Sequence, residues 1–459
     1  MGWDRDQSRR AFLGAAGAAA IGGAIWPRVP RSRVMVPPGR VVLDYWEKWS
    51  GTELDSLQRV IDRFNASQDR SFVRVLPVGD LTTKALVAIA GGDPPDLLGM
   101  LSYSVPLLAE TGAAIPLDRF SPALDTGAYL PAVRALLSYG GRQWAGVTSV
   151  YALALYYNRA MFAQAGLDPD RPPRTISELD ACAARLDIRS ADGRLERCGF
   201  LQVPVWWPYF WPIMFGGVLY DSARDRAVFA DEATVRAYEW VASYPDRLGL
   251  SEASGFASSF ERSYHSVGDP FLSGRLGMIV QGPWIANFAR ACAPELDYGA
   301  APVPVVDDLL DPTEPTGLLE ADVIVIPRGC PHPDEAFEFV RFMQQQETQE
   351  ALALAHAKSS PMADVSPGFH ARHPNRSIRV HDEVMRSPRV RILPQTRIWK
   401  SYADRTLGAF QHAWGGGGLR ESRRDRLLRV LRGVESEVQG MLDHAARLRS
   451  RRAGPGGRA

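Results

Sequence analysis

Between residues 41 and 98 the chain switches repeatedly between two periodicities. Val41-Val42-Leu43-Asp44-Tyr45 is a β-rich run that stops at Trp46-Glu47-Lys48-Trp49-Ser50-Gly51, a loop signature. Leu54, Leu57, Val60, Ile61 and Phe64 then recur at helical spacing. Residues 72–78 read as a second strand, and 84–90 as a helix broken by Gly91-Gly92-Asp93-Pro94-Pro95. Asp96-Leu97-Leu98 opens a third strand. Strands alternating with amphipathic helices bury their apolar faces as a largely parallel, helix-covered sheet, so the fold class is α/β. Ligands of such sheets sit beyond the carboxyl ends of the strands, which puts 46–49 and 101–104 on one rim.

The pattern restarts after Gly146, and 459 residues at roughly 150 per domain allow about three domains or two large lobes. Residues 151–157 read as a strand, with a helix around Met161. Thr175-Ile-Ser-Glu178 has capping-box spacing and predicts a helix through Leu186. Residues 276–280 read as a strand before Gly282-Pro283-Trp284, and 323–326 as a buried strand stopped by Pro327. Pro333-Asp334 begins a helix with Phe337, Val340, Phe342 and Met343 on its apolar face. Leu427, Leu431, Val434, Val438 and Met441 mark a last amphipathic helix, a stripe that reads as core packing. The basic, Gly-rich end, taken as 446–459, is expected to be a flexible tail.

Residues 1–35 read as an export signal. Arg9-Arg10 precedes an apolar, small-residue run from Ala11 to Trp26, closed by Pro27 and short of the ~20 residues that span a bilayer. Paired arginines before such a run are of the twin-arginine type, with an uncleaved anchor as the alternative. The mature protein is then expected to be soluble, in the periplasm or on the extracytoplasmic face of the membrane.

Lys and Arg total 53 against 52 Asp and Glu, which argues against a general polyanion binder and so against nucleic acid. Cys182, Cys198, Cys292 and Cys330 are too few for a disulfide scaffold, and their pairing is not set by their spacing. No GxSxG, HExxH or Walker loop is present. His370 and His373 are followed by Pro374 without a nearby carboxylate, so no metal or other cofactor is expected.

The aromatic residues carry more information. Trp46, Trp49, Tyr103, Tyr151, Trp206, Trp207, Tyr209, Trp284 and Trp399 stand at strand ends or in Pro/Gly-rich loops. A pyranose has an apolar C–H face and a hydroxyl rim, suited by an aromatic platform edged with carboxylates or amides. Glu47, Glu320, Asp322 and Arg397 are candidates for those edges.

In its motifs the chain resembles the extracellular solute-binding proteins of family 1, the maltose, multiple-sugar and glycerol-phosphate group that serve ABC importers. The resemblance rests on Tyr45-Trp46-Glu47-Lys48-Trp49, on Val60 to Asn65, and on the AxGxxPD-like segment through Gly91-Gly92-Asp93-Pro94-Pro95-Asp96. It continues through Glu110 to Leu117, Leu155 to Asn158 with Ala165-Gly166-Leu167, and Pro173 to Leu179. Gly282-Pro283-Trp284 and His332 to Ala336 complete it. It implies a two-lobed periplasmic-binding-protein fold of type II, with a ligand cleft between the lobes that closes on binding. Lobe 1 would comprise 41–149 and 317–365, and lobe 2 would comprise 152–305 and 375–445, with hinges at 146–151 and 305–316. Cleft residues carried over by motif are Trp46, Glu47, Trp49, Tyr103, Tyr151, Trp206, Trp207, Trp284, Glu320 and Trp399. Met100 and Leu101 stand where maltose-type relatives carry a stacking aromatic, which argues against maltose itself.

The implied function is a non-enzymatic, monomeric receptor that carries a sugar or oligosaccharide to the permease subunits of an ABC transporter. Three other readings stay open at this point. A glycerol-phosphate ligand would use Arg397 as phosphate partner. Ferric ion capture would use Tyr156-Tyr157. A secreted glycoside hydrolase would use Glu47 and Glu320.

Overall fold

The computed structural model describes residues 36–202, 207–263, 266–415 and 422–452. The export signal and Trp206 therefore lie outside the described residues.

The helix Gly51–Ser67 buries Leu57, Val60, Ile61 and Phe64, the stripe its spacing predicts. It packs on a sheet ordered Val390–Ile392, Gly317–Val325, Leu97–Leu101, Val41–Glu47, Ser71–Pro77. Val41–Glu47 runs parallel to both of its neighbours, as the strand–helix alternation requires. Gly317–Val325 is antiparallel to Leu97–Leu101 and also pairs with Gly146–Ala152. A nine-residue strand buried along its whole length reads as a continuous apolar run, interrupted here by Glu320 and Asp322.

A second sheet is ordered Tyr298–Ala301, Ala154–Asn158, Leu276–Gln281, Leu195–Phe200, Ile188–Arg189. Its helix Ile176–Leu186 starts at Thr175, whose hydroxyl accepts the Glu178 amide at 3.2 Å. The Glu178 carboxylate reaches back to the amide of Arg174 at 2.7 Å, one residue earlier than a standard capping box.

The two sheets define two lobes. The chain passes between them at Leu153, the single residue separating Gly146–Ala152 from Ala154–Asn158. It returns through the segment ahead of Gly317–Val325. The third crossing corrects the expected boundary. Val390–Ile392 pairs with Gly317–Leu319, and the helix Ile378–Arg386 packs on the first sheet, so 378–392 stand with lobe 1. That helix buries its own Val384 and Met385 in the lobe 1 core, a contact that periodicity alone cannot assign to either sheet. The chain enters lobe 2 for the last time before the helix Trp399–Trp414.

The helix Arg423–Arg452 buries Leu427, Leu431, Val434, Val438 and Leu442. It remains helical through 446–452, where a flexible tail was expected. Arg449 Nη1 meets both carboxylate oxygens of Glu110 in lobe 1 at 2.9 and 3.1 Å, and its Nη2 meets Asp225 at 2.6 Å. That bridge pins the helix end. All four cysteines are free thiols, with Cys198 and Cys330 buried in the cores of different lobes.

Candidate functional site

Val41–Glu47 ends at the rim, where alternation sends successive side chains to opposite faces. Tyr45 and Glu47 point inward and Trp46 points away, packing on the lobe 1 core. Glu47 is completely buried. It fits because residue 99 is glycine: a Cβ there would lie 1.8 Å from the Glu47 carboxylate. The carboxylate accepts the Tyr45 hydroxyl at 2.6 Å and the Lys48 amide at 2.7 Å.

From Glu47 a row of alternating charges runs along the lobe 1 rim. Lys48 Nζ is 3.3 Å from Glu47 and 2.9 Å from Asp322. Asp322 also meets Lys358 Nζ at 3.4 Å, and Lys358 meets Glu53 at 3.0 Å. Burial acts to raise the Asp322 pKa, but Lys48 and Lys358 outweigh it and hold the carboxyl below its ordinary value. Burial likewise acts against the Lys358 ammonium, and Asp322 and Glu53 outweigh that. The Lys358 side chain is only 5% exposed.

Lys358 Nζ lies 5.4 Å from the Trp49 ring, 5.8 Å from Tyr151 and 5.5 Å from Trp284, all within cation–π range. Trp49 comes from lobe 1, Tyr151 from the connecting strand, and Trp284 from the start of the lobe 2 helix Ile285–Cys292. The Trp284 ring folds over Gly282, where a Cβ would come within 2.1 Å of it. These rings line a cavity of about 240 Å³ with Thr52, Glu53, Asn287, Phe288, Asp322 and Lys358, so both lobes contribute to one site.

Behind this cavity, antiparallel register sets Glu320 opposite Tyr151. Its carboxyl accepts the Tyr151 hydroxyl at 2.5 Å and the lobe 2 Tyr209 hydroxyl at 3.2 Å. Burial pushes its pKa up to about 7, against the hydrogen bonds from Tyr151, Tyr209 and Trp207 that favour the anion. Burial and the nearby Glu320 push Tyr103, on the turn Ser102–Ser104, up to about 12. Trp207 lies 6.4 Å from the Trp284 ring.

Of the residues read from sequence, Trp49, Tyr151, Trp284 and Asp322 line the cavity. Trp207 and Glu320 form the layer behind, with Tyr103 beside Glu320. Glu47 belongs to the lobe 1 interior, the half-buried Trp46 packs against the lobe 1 core, and Trp399 is 1% exposed, packed 5.0 Å from Tyr209. Arg397 is elsewhere: it lies 3.8 Å from Glu110 and lines a separate hollow with Ile398 and His444. Lys358, Asn287 and Phe288 were not read from sequence. Lys358 had one signal, a lysine directly between the Ala- and Leu-rich stretch 351–357 and Ser-Ser-Pro-Met. Such a lysine is buried only with carboxylate partners.

The other readings find their groups already engaged. Tyr156 bonds His381 at 2.6 Å while Tyr157 donates to the Pro169 carbonyl, so the two phenols do not converge on a metal. His370 pairs with Asp382, and among the described residues no cluster with metal-ligand composition occurs. Neither Glu47 nor Glu320 faces the cavity as a hydrolase pair would have to.

Two sheet-based lobes around a shared aromatic cavity define a two-lobed, cleft-type binding protein. The model of the bacterial extracellular solute-binding protein family matches residues 59–371, and the chain belongs to that family. It is 23% identical over 327 residues to a maltotriose-binding protein of Pyrococcus abyssi, covering 69% of this chain and 65% of that relative's length. It is 26% identical over 176 residues to the sn-glycerol-3-phosphate-binding periplasmic protein UgpB of Brucella abortus, covering 36% and 39% respectively. The solved structure of CpMnBP1 with mannotriose bound superposes with a TM-score of 0.76 at 25% identity, over 87% of this chain and all of that one. No helix among the described residues is long and apolar enough to cross a membrane.

Proposed function

We propose that this chain is the extracytoplasmic substrate-binding protein of an ABC importer, and that it holds a sugar or oligosaccharide in the interlobe cleft for delivery to the membrane permease. The observation that carries this reading is the convergence of Trp49, Tyr151 and Trp284, from both lobes and the strand between them, on one cavity edged by Glu53 and Asp322. Rings offer flat apolar faces to sugar C–H groups, and carboxylates and the Asn287 amide offer partners to hydroxyls. The sugars named for the maltotriose- and mannotriose-binding relatives support the same class. The site residues are Trp49, Tyr151, Trp284, Asp322 and Lys358, with Trp207 and Glu320 behind them.

A phosphate ester fits less well, because Lys48 and Lys358 are each held between two carboxylates and Arg397 faces Glu110 instead. The protein acts as a receptor and not an enzyme, exported by the twin-arginine-type signal and working as a monomer. At about 240 Å³ the cavity is smaller than the ~300 Å³ at which ligand sites usually begin, so a chain of several sugar rings requires the lobes to part. A thermal-shift screen against a carbohydrate panel tests the proposal, since a ligand bound only by the native state raises Tm by mass action. Stabilisation by one group of neutral saccharides is expected; a flat response across the panel, with glycerol phosphate alone active, would reverse the assignment.

A further inference from the structure

The backbone delivers Lys358 to the cleft in an unusual way. The helix Gln346–His356 ends at Ala357, which holds a left-handed φ of 56° where glycine is the ordinary choice. This turn sends the next side chain, Lys358, into the space between the lobes. There its ammonium meets three aromatic rings and two carboxylates. Rings that surround a cation with acidic groups beside them are the arrangement by which proteins recognise ammonium ligands. Here the cation belongs to the protein.

The charges explain what this does to selectivity. Glu47, Lys48, Asp322, Lys358 and Glu53 alternate in sign along the rim, and three carboxylates against two ammoniums leave one negative charge in excess. Lys48 also lies 5.1 Å from the Trp49 ring, so that ring already faces two cations. An anionic ligand meets a net negative row whose cations are engaged. An ammonium-bearing ligand finds the cation position taken and would be held against Lys358. A neutral polyol meets neither penalty. It can accept the third N–H of Lys358 and donate to the carboxylates, since an ammonium has three donors and two are committed to Glu53 and Asp322.

We propose that Lys358 is the specificity-determining residue of the cleft: caged by Trp49, Tyr151 and Trp284 and shared between Glu53 and Asp322, it fills the cation position from within and restricts the ligand to neutral saccharides. This rests on the saccharide reading given above.

Calorimetric titration of the full chain with matched neutral, glucosamine-containing and uronate-containing oligosaccharides tests the selectivity. The neutral series should bind at least about tenfold more tightly than either charged series, a ratio equal to one unpaired charge contact at the low end of its usual cost. In Lys358→Met, whose side chain fills similar volume, the discrimination against glucosamine should collapse or reverse while uronates stay rejected. Charged sugars that bind wild type within about twofold of neutral ones, or a neutral-to-glucosamine affinity ratio in the variant equal to that of wild type, would overturn the proposal.

A second measurement tests the cage without any sugar. Ethylammonium should raise the Tm of Lys358→Ala and leave wild type unmoved, with ethanol inactive on both, because only the variant has a vacant cation position. Failure of ethylammonium to discriminate overturns the cage even if sugars bind. Selective rescue by ethylammonium with no saccharide bound by wild type would instead sink the saccharide reading and the selectivity built on it, leaving the cage.

Discussion

The Tyr151 hydroxyl donates a 2.5 Å hydrogen bond to the Glu320 carboxyl across two antiparallel strands, one carrying the chain out towards lobe 2 and the other bringing it back. Tyr209 and Trp207 reach the same carboxyl from lobe 2, so one buried acid ties both lobes to the connecting strand behind the ligand cavity.

That acid should leave a mark on stability. Glu320 titrates at about 7 in the folded protein against an ordinary 4.5. The proton is held more tightly by the native state, so this contribution is fully present below about 4.5 and is lost as pH rises through about 7. Glu320→Gln removes the titration, and its Tm relative to wild type should climb across that window. A difference that does not vary with pH would show that the carboxyl ionises normally.

Two buried histidines should act with the opposite sign. Burial lowers His356 and His381 from 6.5 to about 4. Their contribution is present above about 6.5 and disappears as pH falls through about 4. His381 bonds the Ala152 carbonyl at 2.8 Å and the Tyr156 hydroxyl at 2.6 Å, which fixes a neutral ring with its proton on Nδ1. His381→Gln should flatten the acid limb of the stability profile, measured by denaturant unfolding at several pH values.

Ring removal should separate ligand contacts from core packing. Trp284→Ala and Trp49→Ala should each weaken saccharide binding by about 1–3 kcal/mol in titration calorimetry. Trp399→Ala empties a fully buried position and should cost about 3–5 kcal/mol of stability. Equal affinities for wild type and both cavity variants would remove Trp49 and Trp284 from the site.

The bridge from Arg449 to Glu110 should hold the lobes together. Glu110, whose side chain is 5% exposed, keeps Tyr139 and Arg397 as partners when Arg449 is lost. Arg449→Ala should therefore cost about 1–3 kcal/mol and enlarge the radius of gyration in small-angle scattering without ligand. An unchanged radius would confine Arg449 to packing the end of its own helix.

The strands and helices of lobe 1 were legible because each repeats at its own period: Leu57, Val60, Ile61 and Phe64 can bury together only on a helix, and Leu43 and Tyr45 only on a strand. The family was legible from ordered motifs. Within the site, Trp49, Tyr151 and Trp284 were readable as aromatic residues at strand ends. Arg397 misled, because a guanidinium beside aromatic residues in sequence says nothing of the carboxylate it meets in space, here Glu110. The assignment of 378–392 failed for a related reason: an amphipathic helix records that one face is buried and not which sheet buries it.

Local sequence, then, determined the type and approximate place of the strands and helices, since periodicity, capping and turn residues act over a few neighbours. It also determined that the chain carries an excess of aromatic side chains at strand ends. Tertiary structure alone decided that Lys358, Asp322 and Glu53 would share one charge system with Trp49, Tyr151 and Trp284 around it. Those six residues span more than 300 positions of sequence, and Coulombic and ring contacts depend on distance in space, which only the packing of two lobes supplies.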